Sequence, residues 1–528
     1  MERLSLENGV WEMSLLEKGH KGLVKALFGR TGIIVLMLLV QIALLVIVYH
    51  RFYDFVPQLY TAMIVLSIIA VFYLLNNSID PSAKITWLII IIVVPVFGAL
   101  LLIYTQMDVG HRTLKKSVAR TIDSTRDAIP QDHDIMEQLT EESPETAALA
   151  KYITRSGCYP VFKNTHVTYF PLGADKLMEL LNQLEKAEKF IFLEYFIIDE
   201  GLMWGSVLDI LARKAKEGVE VRVMYDGTCE FSTLPHSYPK LLRNLGIQCK
   251  VFSPARPFLS THYNYRDHRK ILVIDGHTAF TGGINMADEY INHIVKYGHW
   301  KDTAIMLQGD AARSFTLMFL QLWNSYEKKP VYAKYLSAHT YPMQEAKGYV
   351  IPFADCPLDE DKVGERVYMD ILNRAHSYVH IMSPYLILDG ELETALKYAA
   401  ERGVDVSLIL PGIPDKKIPY ALAKTHYPSL MASGVKIYEY TPGFVHAKVF
   451  VSDDCKAVVG TINMDYRSLY HHFECAAYLY ESESIPAIEA DFQKTLSLCQ
   501  PVTKETLRRE PLTRRITGIV MKAIAPLM

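Results

Sequence analysis

Two stretches of this chain carry residue types that can work on a phosphate. The first is His268-Arg269-Lys270-Ile271-Leu272-Val273-Ile274-Asp275 and the second His446-Ala447-Lys448-Val449-Phe450-Val451-Ser452-Asp453; both read H-x-K-x-x-x-x-D. Each is followed by a glycine step and an asparagine, Gly282-Gly283-Ile284-Asn285 and Gly460-Thr461-Ile462-Asn463. The His, Lys, Asp and Asn all recur at a shift of 178 residues. A lone H-x-K says little, but four polar types in register across two halves are hard to obtain by chance.

On a strand, residues i and i+2 face the same way. His268 and Lys270 therefore share a face, as do His446 and Lys448. Joined about a pseudo-twofold axis, the two pairs make a pocket of two imidazoles and two ammonium groups. One neutral imidazole can attack phosphorus while the protonated other gives its proton to the leaving alkoxide. The lysines neutralise the non-bridging oxygens as charge builds. Neither a metal nor another cofactor is called for, since Lys and Asn are poor zinc ligands and no third His or Cys stands at ligand spacing.

Other polar residues are candidates for supporting roles. Asn285 and Asn463 can hydrogen-bond a phosphoryl oxygen of the substrate or hold a lysine, with the glycine steps letting backbone approach closely. Asp275 and Asp453 either orient a neighbouring group or close the turn at the strand end. Glu474, in His471-His472-Phe473-Glu474, can pair with a catalytic imidazole and fix its tautomer. Glu194, in Leu193-Glu194-Tyr195-Phe196, is a similar candidate; for both, a buried structural carboxylate is the alternative. Asp302 is positioned to do in one half what Glu474 does in the other.

The elements that must hold these residues alternate between helix and strand. In the first half, helical spacing over 174–189 precedes a strand-like run at 190–198, then helix 207–217, strand 219–225, helix 239–245, strand 247–252 and the first motif. The second half repeats the order: helix 365–375, strand 379–383, helix 392–401, strand 404–410, helix 428–432, strand 435–440 and the second motif. Such alternation predicts mostly parallel sheets with helices on their faces. Gly246 to His268 is 22 residues while Gly434 to His446 is 12, so the first half carries an insertion within 254–267. That insertion, with Phe258, His262, Tyr263, Tyr265 and Arg266, either shapes the substrate mouth or is a passive surface loop.

At 528 residues the chain is too long for a single ordinary core. A net charge of −3 gives no global reason to expect nucleic acid as a partner. Seven scattered cysteines without a C-x-x-C pair argue against a disulfide framework and a zinc site. The apolar excess lies near the start, in uncharged runs at 31–49, 60–75 and 85–104. Each is a candidate to enter a bilayer, and Pro95 and Gly98 in the third are tolerable there. Trp87 and Tyr104, near the ends of that run, suit the membrane interface. With three spans the flanking basic residues divide evenly; if one run is re-entrant, both basic clusters fall on one side. The expected organisation is a lead-in at 1–30, amphipathic or disordered; a transmembrane region at 31–107; a polar linker at 108–165; two halves at 166–345 and 346–500; and a tail at 501–528. The tail, with Arg514, Arg515 and Lys522 among Ile516, Ile519, Val520 and Ile524, suits a helix on anionic lipid or one packed on the body.

The paired motifs resemble those of the phospholipase D superfamily, and within it the chain looks most like bacterial cardiolipin synthases. His268-Arg269-Lys270-Ile271, Ser383-Pro384-Tyr385, Phe444-Val445-His446-Ala447-Lys448 and Gly460-Thr461-Ile462-Asn463-Met464-Asp465-Tyr466-Arg467-Ser468 carry the likeness, with the membrane region before them. Departures are small: three apolar runs where two are common, and Asp267 before the first His where Asn is frequent. The resemblance implies two tandem α/β/α sandwich halves related by pseudo-twofold symmetry. It implies that two phosphatidylglycerols give cardiolipin and glycerol through a phosphatidyl-histidine, with His268 as nucleophile and His446 as acid/base. It also implies anionic lipids as partners and leaves a homo-oligomer open; the apolar runs give the expectation of a multi-pass cell-membrane protein, and lipid synthesis from cytosol-made precursors together with the unpaired cysteines favours a cytoplasmic body. The rivals are a hydrolase or another phosphatidyltransferase of the same fold, a nuclease, and a membrane scaffold with a dead site.

Overall fold

The computed structural model describes residues 30–51, 56–77, 79–107, 112–254, 265–337 and 346–527. The lead-in at 1–29 and most of the insertion, including Phe258, His262 and Tyr263, lie outside the described residues. The chain forms two compact units, the N-terminal helices and the body that follows.

The first unit contains α1 (Arg30–Arg51) and α2 (Val56–Asn76), which hold the first two apolar runs. The third run does not form one helix. It is divided between α3 (Pro81–Val93) and α4 (Pro95–Met107), because Pro95 has no N–H to continue the ladder. Asp80 caps the start of α3, accepting from the N–H groups of Ser82 and Ala83. The chain doubles back at Val94: a Cβ on Gly98 would stand 2.8 Å from the Cα of Ile91. Only glycine lets the two short helices touch so closely. Each is about 20 Å long at 1.5 Å per residue, short of the ~30 Å hydrocarbon core. Among the described residues, no helix is long and apolar enough to cross a membrane. Trp87 is buried inside this unit, so it is not the interface anchor its position suggested.

The body begins earlier than the polar composition of 108–165 suggested. Helices Arg112–Ser124, His133–Glu142 and Pro144–Gly157 fold onto it, and Leu139, Ala147, Ala150 and Ile153 enter the core of the second half. Their buried faces are narrow, down to Val118 and Thr121 in the first and Leu139 in the second, so charge dominates the composition while a thin stripe does the packing.

Strands β1 (Thr165–Phe170), β2 (Phe190–Tyr195), β3 (Glu220–Asp226), β4 (Gln248–Phe252), β5 (Arg266–Asp267), β6 (Lys270–Ile274), β7 (Thr278–Gly282), β8 (His299–Lys301) and β9 (Ala304–Gly309) belong to the first half. Seven of them form one sheet in the order β1-β9-β7-β6-β2-β3-β4. The second half has β10 (Tyr349–Asp355), β11 (Tyr378–Met382), β12 (Leu386–Ile387), β13 (Asp405–Pro411), β14 (Lys436–Tyr440), β15 (Gly443–Val445), β16 (Val449–Ser452), β17 (Lys456–Gly460), β18 (Met464–Asp465), β19 (His472–Tyr480) and β20 (Cys499–Pro501). Its sheet runs β10-β19-β17-β16-β11-β13-β14-β20, the same order with one added edge strand. The duplication seen in the motifs is thus a duplication of topology.

The sheets are mixed, not mostly parallel. In the first, only β2–β3 and β3–β4 pair in parallel, where helices make the crossovers. β6 and β7 are joined by a tight turn at Asp275-Gly276-His277, which can only give an antiparallel pair. The motif strand of each half is therefore the point where a parallel βαβ layer meets an antiparallel meander.

Alternation along the motif strands divides the core. Ile271 and Val273 of β6 face a layer shared with the second half, which includes Val449, Val451, Phe473 and the buried helix Ala312–Asn324. Leu272 and Ile274 face the first half's own core with Trp204 and Phe280. The seven cysteines are all free thiols.

Candidate active site

Each catalytic candidate is held by both halves. β5, just before His268, pairs in parallel with the start of β19, and the His268 N–H donates to the Phe473 carbonyl at 3.0 Å. β15, just before His446, pairs in parallel with β8, and the His446 N–H donates to the Lys301 carbonyl at 2.7 Å. The two imidazoles are thereby brought to the seam between the sheets.

The carboxylates that orient them also cross the seam. His268 Nδ1 lies 2.9 Å from Oε1 of Glu474, which belongs to the second half. His446 Nδ1 lies 2.6 Å from Oδ2 of Asp302, which belongs to the first. A carboxylate beside Nδ1 fixes the proton there and leaves Nε2 as the reacting atom. The Thr461 hydroxyl also donates to Glu474. Gly283 is required by this arrangement, since a Cβ would stand 2.1 Å from Oδ1 of Asp302.

Lys270 and Lys448 are fully buried, and each donates to the carbonyl of the His two residues before it. Burial pushes Lys270 down to about 8. Burial, aided by the charge of Lys270, pushes Lys448 down to about 7. Burial and then Lys448 push His446 down to about 4. His268 sits well below the ordinary imidazole value, again chiefly through burial, against the pull of Glu474. Glu474 is buried, but His268 and Lys270 more than offset the cost and hold its carboxyl well below the usual range. An anion entering this pocket would raise every one of the depressed cations. The site has the electrostatics of a phosphate cradle.

The remaining sequence candidates divide. Asn285 accepts the Ile197 N–H at 3.1 Å and donates to the Tyr290 hydroxyl at 2.7 Å. Asn463 has a buried Oδ1 with no protein partner. Both motif aspartates serve the turn and not the pocket. Asp275 accepts from the N–H groups of Glu188, Lys189 and Phe190, and Asp453 from those of His376, Ser377 and Tyr378. Both have left-handed backbone, at φ 54° and 53°. They lie at the far ends of strands from the imidazoles, about 20 Å along the chain. Glu194 pairs with Arg269 at 2.6 Å, on the face of β6 opposite Lys270, so it does not reach an imidazole. Burial raises its carboxyl well above the usual range.

Three residues in or behind the site had no signal in the sequence. His472 lies with its ring 5.3 Å from that of His268, and both its nitrogens are buried without a hydrogen-bond partner. Trp300 stands 5.5 Å from His446 with its buried indole N–H also unpartnered. Each is two residues before the carboxylate of its own half, so they are symmetry mates of unlike polarity. Lys176 is fully buried and reaches the Tyr195 hydroxyl at 3.1 Å; it looks like an exposed position on an amphipathic helix until the fold is known.

Among the described residues, His268, His472 and Glu474 offer ligand atoms within 4.8 Å of one another, as do Glu365, Asp389 and Glu391. The first group has the buried Lys270 as a neighbour whose charge opposes a divalent cation. The second is an acidic cluster in which Asp389 already accepts from the Tyr470 hydroxyl.

Comparison with known proteins gives a consistent picture. A family model described as "Cardiolipin synthase, PLD-like domain" matches residues 180–323 and 368–496, and one described as "Phospholipase_D-nuclease N-terminal" matches 65–103. A cardiolipin synthase of Alkalihalophilus pseudofirmus is 32% identical over 85% of this chain and 89% of its own length. One from a Geobacillus species is 34% identical over 85% and 89%. An uncharacterized protein of Streptococcus mutans is 57% identical over 87% and 99%. Among solved structures, a phosphatidylserine synthase of Haemophilus influenzae aligns with a TM-score of 0.53 at 16% identity, covering 69% of this chain and 93% of that one, and so shares the fold.

Proposed function

The chain belongs to the cardiolipin synthase family of phospholipase D-like proteins, and from that premise we propose that it joins two phosphatidylglycerols into cardiolipin and releases glycerol. The observation that carries the proposal is the crossed pairing of two buried imidazoles with two carboxylates, beside two buried lysines. Nε2 of His268 attacks the phosphorus of the first lipid, and the P–O bond to its headgroup glycerol breaks. His446, whose depressed imidazole the bound phosphate raises so that Nε2 carries a proton, gives that proton to the departing alkoxide. The phosphatidyl-histidine that results is then attacked by the primary hydroxyl of a second phosphatidylglycerol. His446 takes the hydroxyl proton, the P–N bond breaks and the site is restored. Lys270 and Lys448 hold the non-bridging oxygens throughout.

The test is labelled phosphatidylglycerol supplied to the reconstituted chain in the presence of EDTA. Cardiolipin with an equal amount of glycerol is expected. Phosphatidic acid as the sole lipid product would make the chain a hydrolase instead, and loss of turnover with the chelator would overturn the metal-free chemistry.

The pH profile should report the lysines. In the empty site Lys448 and Lys270 lose their protons near 7 and 8. kcat/KM, which already declines above the empty-site His446 value of about 4, is therefore expected to fall more steeply as pH rises through that window. kcat should fall later, because bound phosphate raises both lysines. On the acid side His268 stays neutral well below the ordinary imidazole range, so the nucleophile is preserved as pH drops. A kcat/KM that stays flat to pH 9 would contradict the role given to the lysines.

The N-terminal unit fits attachment to the cell membrane with the body on the cytoplasmic side. Leu39, Ile42, Leu45, Ile69 and Phe72 of α1 and α2 are exposed apolar residues.

A further inference from the structure

The C-terminal segment builds a second feature away from the catalytic histidines. It lies against α5 (Lys417–Ala432) and consists of α6 (Lys504–Arg508) and α7 (Leu512–Lys522). α7 rests on α5 through Gly518, where a Cβ would stand 2.4 Å from the Ala421 carbonyl oxygen. Lys424 of α5 pairs with Glu510 at 2.9 Å, and Arg514 of α7 pairs with the same carboxylate. The Arg515 guanidinium donates to the Leu507 carbonyl at 2.6 Å. These contacts fix the walls of a groove of about 700 Å³.

The lining of the groove is of two kinds. Pro428, Met431, Leu507 and Ile519 form an apolar wall, while Lys424, Lys504, Arg508, Arg514 and Arg515 supply five cations against the single carboxylate of Glu510. Lys424 is shared between Glu439, at 2.6 Å, and Glu510, at 2.9 Å, and together with Arg514 it holds the Glu510 carboxyl below the usual range against burial. Lys504, Arg508 and Arg515 form no ion pair among the described residues and are exposed. Beside the groove, α7 presents its apolar stripe outward: Leu512 is 70% and Ile519 66% exposed, with Ile516 and Val520 on the same side. A helix packed for the interior would bury that stripe. This one buries a glycine and exposes its aliphatic residues, which is the arrangement of a helix at a bilayer surface. A volume of this size suits part of an amphiphile, with an anionic head at the cations and a chain along the apolar wall.

We propose that the groove between α5, α6 and α7 holds one anionic phospholipid of the bilayer, separately from the catalytic pocket. Its phosphate sits among Lys504, Arg508 and Arg515, and an acyl chain runs along Met431 and Ile519. Lys424, which lines the groove, lies over the rings of Tyr420 and Tyr427 at 4.9 and 5.1 Å, and those two tyrosines line a small cavity with Tyr385 and Phe444. Phe444 stands 5.8 Å from the His446 ring, so α5 lines both the groove and the small cavity beside the reaction site. The choice of a lipid as ligand rests on the function proposed above, but occupancy of the groove requires no turnover.

The experiment uses the full chain in nanodiscs of phosphatidylcholine containing phosphatidylglycerol with a photoreactive group in its acyl chain. Peptides containing Met431 and Ile519 are expected to be labelled, and about tenfold less by the matching phosphatidylcholine probe. Lys504→Glu with Arg508→Glu should lower the label about tenfold while cardiolipin formation from short-chain substrate is retained. Ala432→Trp, which fills the groove and leaves its charge intact, should also remove the label. The His446→Ala chain should keep it; that result separates the groove from the function proposed above, since a chain without synthase activity would still show the site. Equal labelling by both probes, labelling indifferent to the charge reversal and the Trp, or loss of label in His446→Ala would each overturn the proposal.

Discussion

His446→Ala is expected to lower cardiolipin formation by about 10⁴-fold, the upper end of what a positioned acid/base supplies, because the same imidazole is needed in both half-reactions. The variant should nevertheless become covalently loaded. With a phosphatidyl donor whose leaving group needs no proton, His268 can still attack, while the second step lacks its base. The expected result is radiolabelled phosphate bound to the chain, stable to alkali and lost in acid, as for a phosphohistidine. His268→Ala should be as inactive and carry no label. The reverse pattern would exchange the two roles, which the near-symmetry of the site makes a real alternative outcome. No label in either variant would mean direct displacement without a covalent intermediate. Neither substitution should unfold the body, because each His holds the seam through its backbone N–H, which alanine keeps.

The repeated motif made the chemistry legible before the fold, because a strand's two-residue period places His and Lys on one face whatever surrounds them. The partner carboxylate was legible only in part. Glu474 and Asp302 could be named, but not that each serves the opposite half, since no sequence pattern encodes which side of a seam a loop will reach. Glu194 and Glu474 look alike in the sequence, each on an apolar strand. What separates them is Arg269, which takes Glu194 on the back of β6. The motif aspartates misled for a related reason: their spacing from His is that of a strand with a turn at its end, so the repeat records the turn as faithfully as the chemistry. His472 and Trp300 left no signal because an orphaned nitrogen is a property of the folded surroundings. The mixed sheet was missed because short apolar runs do not reveal strand direction; only the tightness of the turn after Asp275 does.

Asp302→Asn and Glu474→Gln test the crossing itself. Each keeps the size of the side chain and removes the charge. An amide can turn its NH₂ toward Nδ1, which would then accept, placing the proton on Nε2 and removing the lone pair from the reacting atom. Removing the orienting carboxylate of a catalytic imidazole lowers kcat by about 10⁴ in the serine-protease precedent, and a fall of about 10²–10⁴ is expected for each variant here. KM should change little, because Lys270 and Lys448 still bind the phosphate. The two variants act on different imidazoles and should differ in the labelling experiment. Glu474→Gln impairs His268 and should slow the appearance of phosphate on the chain. Asp302→Asn impairs His446 and should let phosphate accumulate when the donor has a good leaving group. If the carboxylates served the histidines of their own halves, these assignments would be reversed: Glu474→Gln would accumulate label and Asp302→Asn would lose it. The double variant should be little worse than the worse single one, since imidazoles acting in one reaction sequence do not contribute additively. A full product of the two losses would mean that the halves work independently, and the crossed pairing at 2.9 Å and 2.6 Å would then be structural support with no part in turnover.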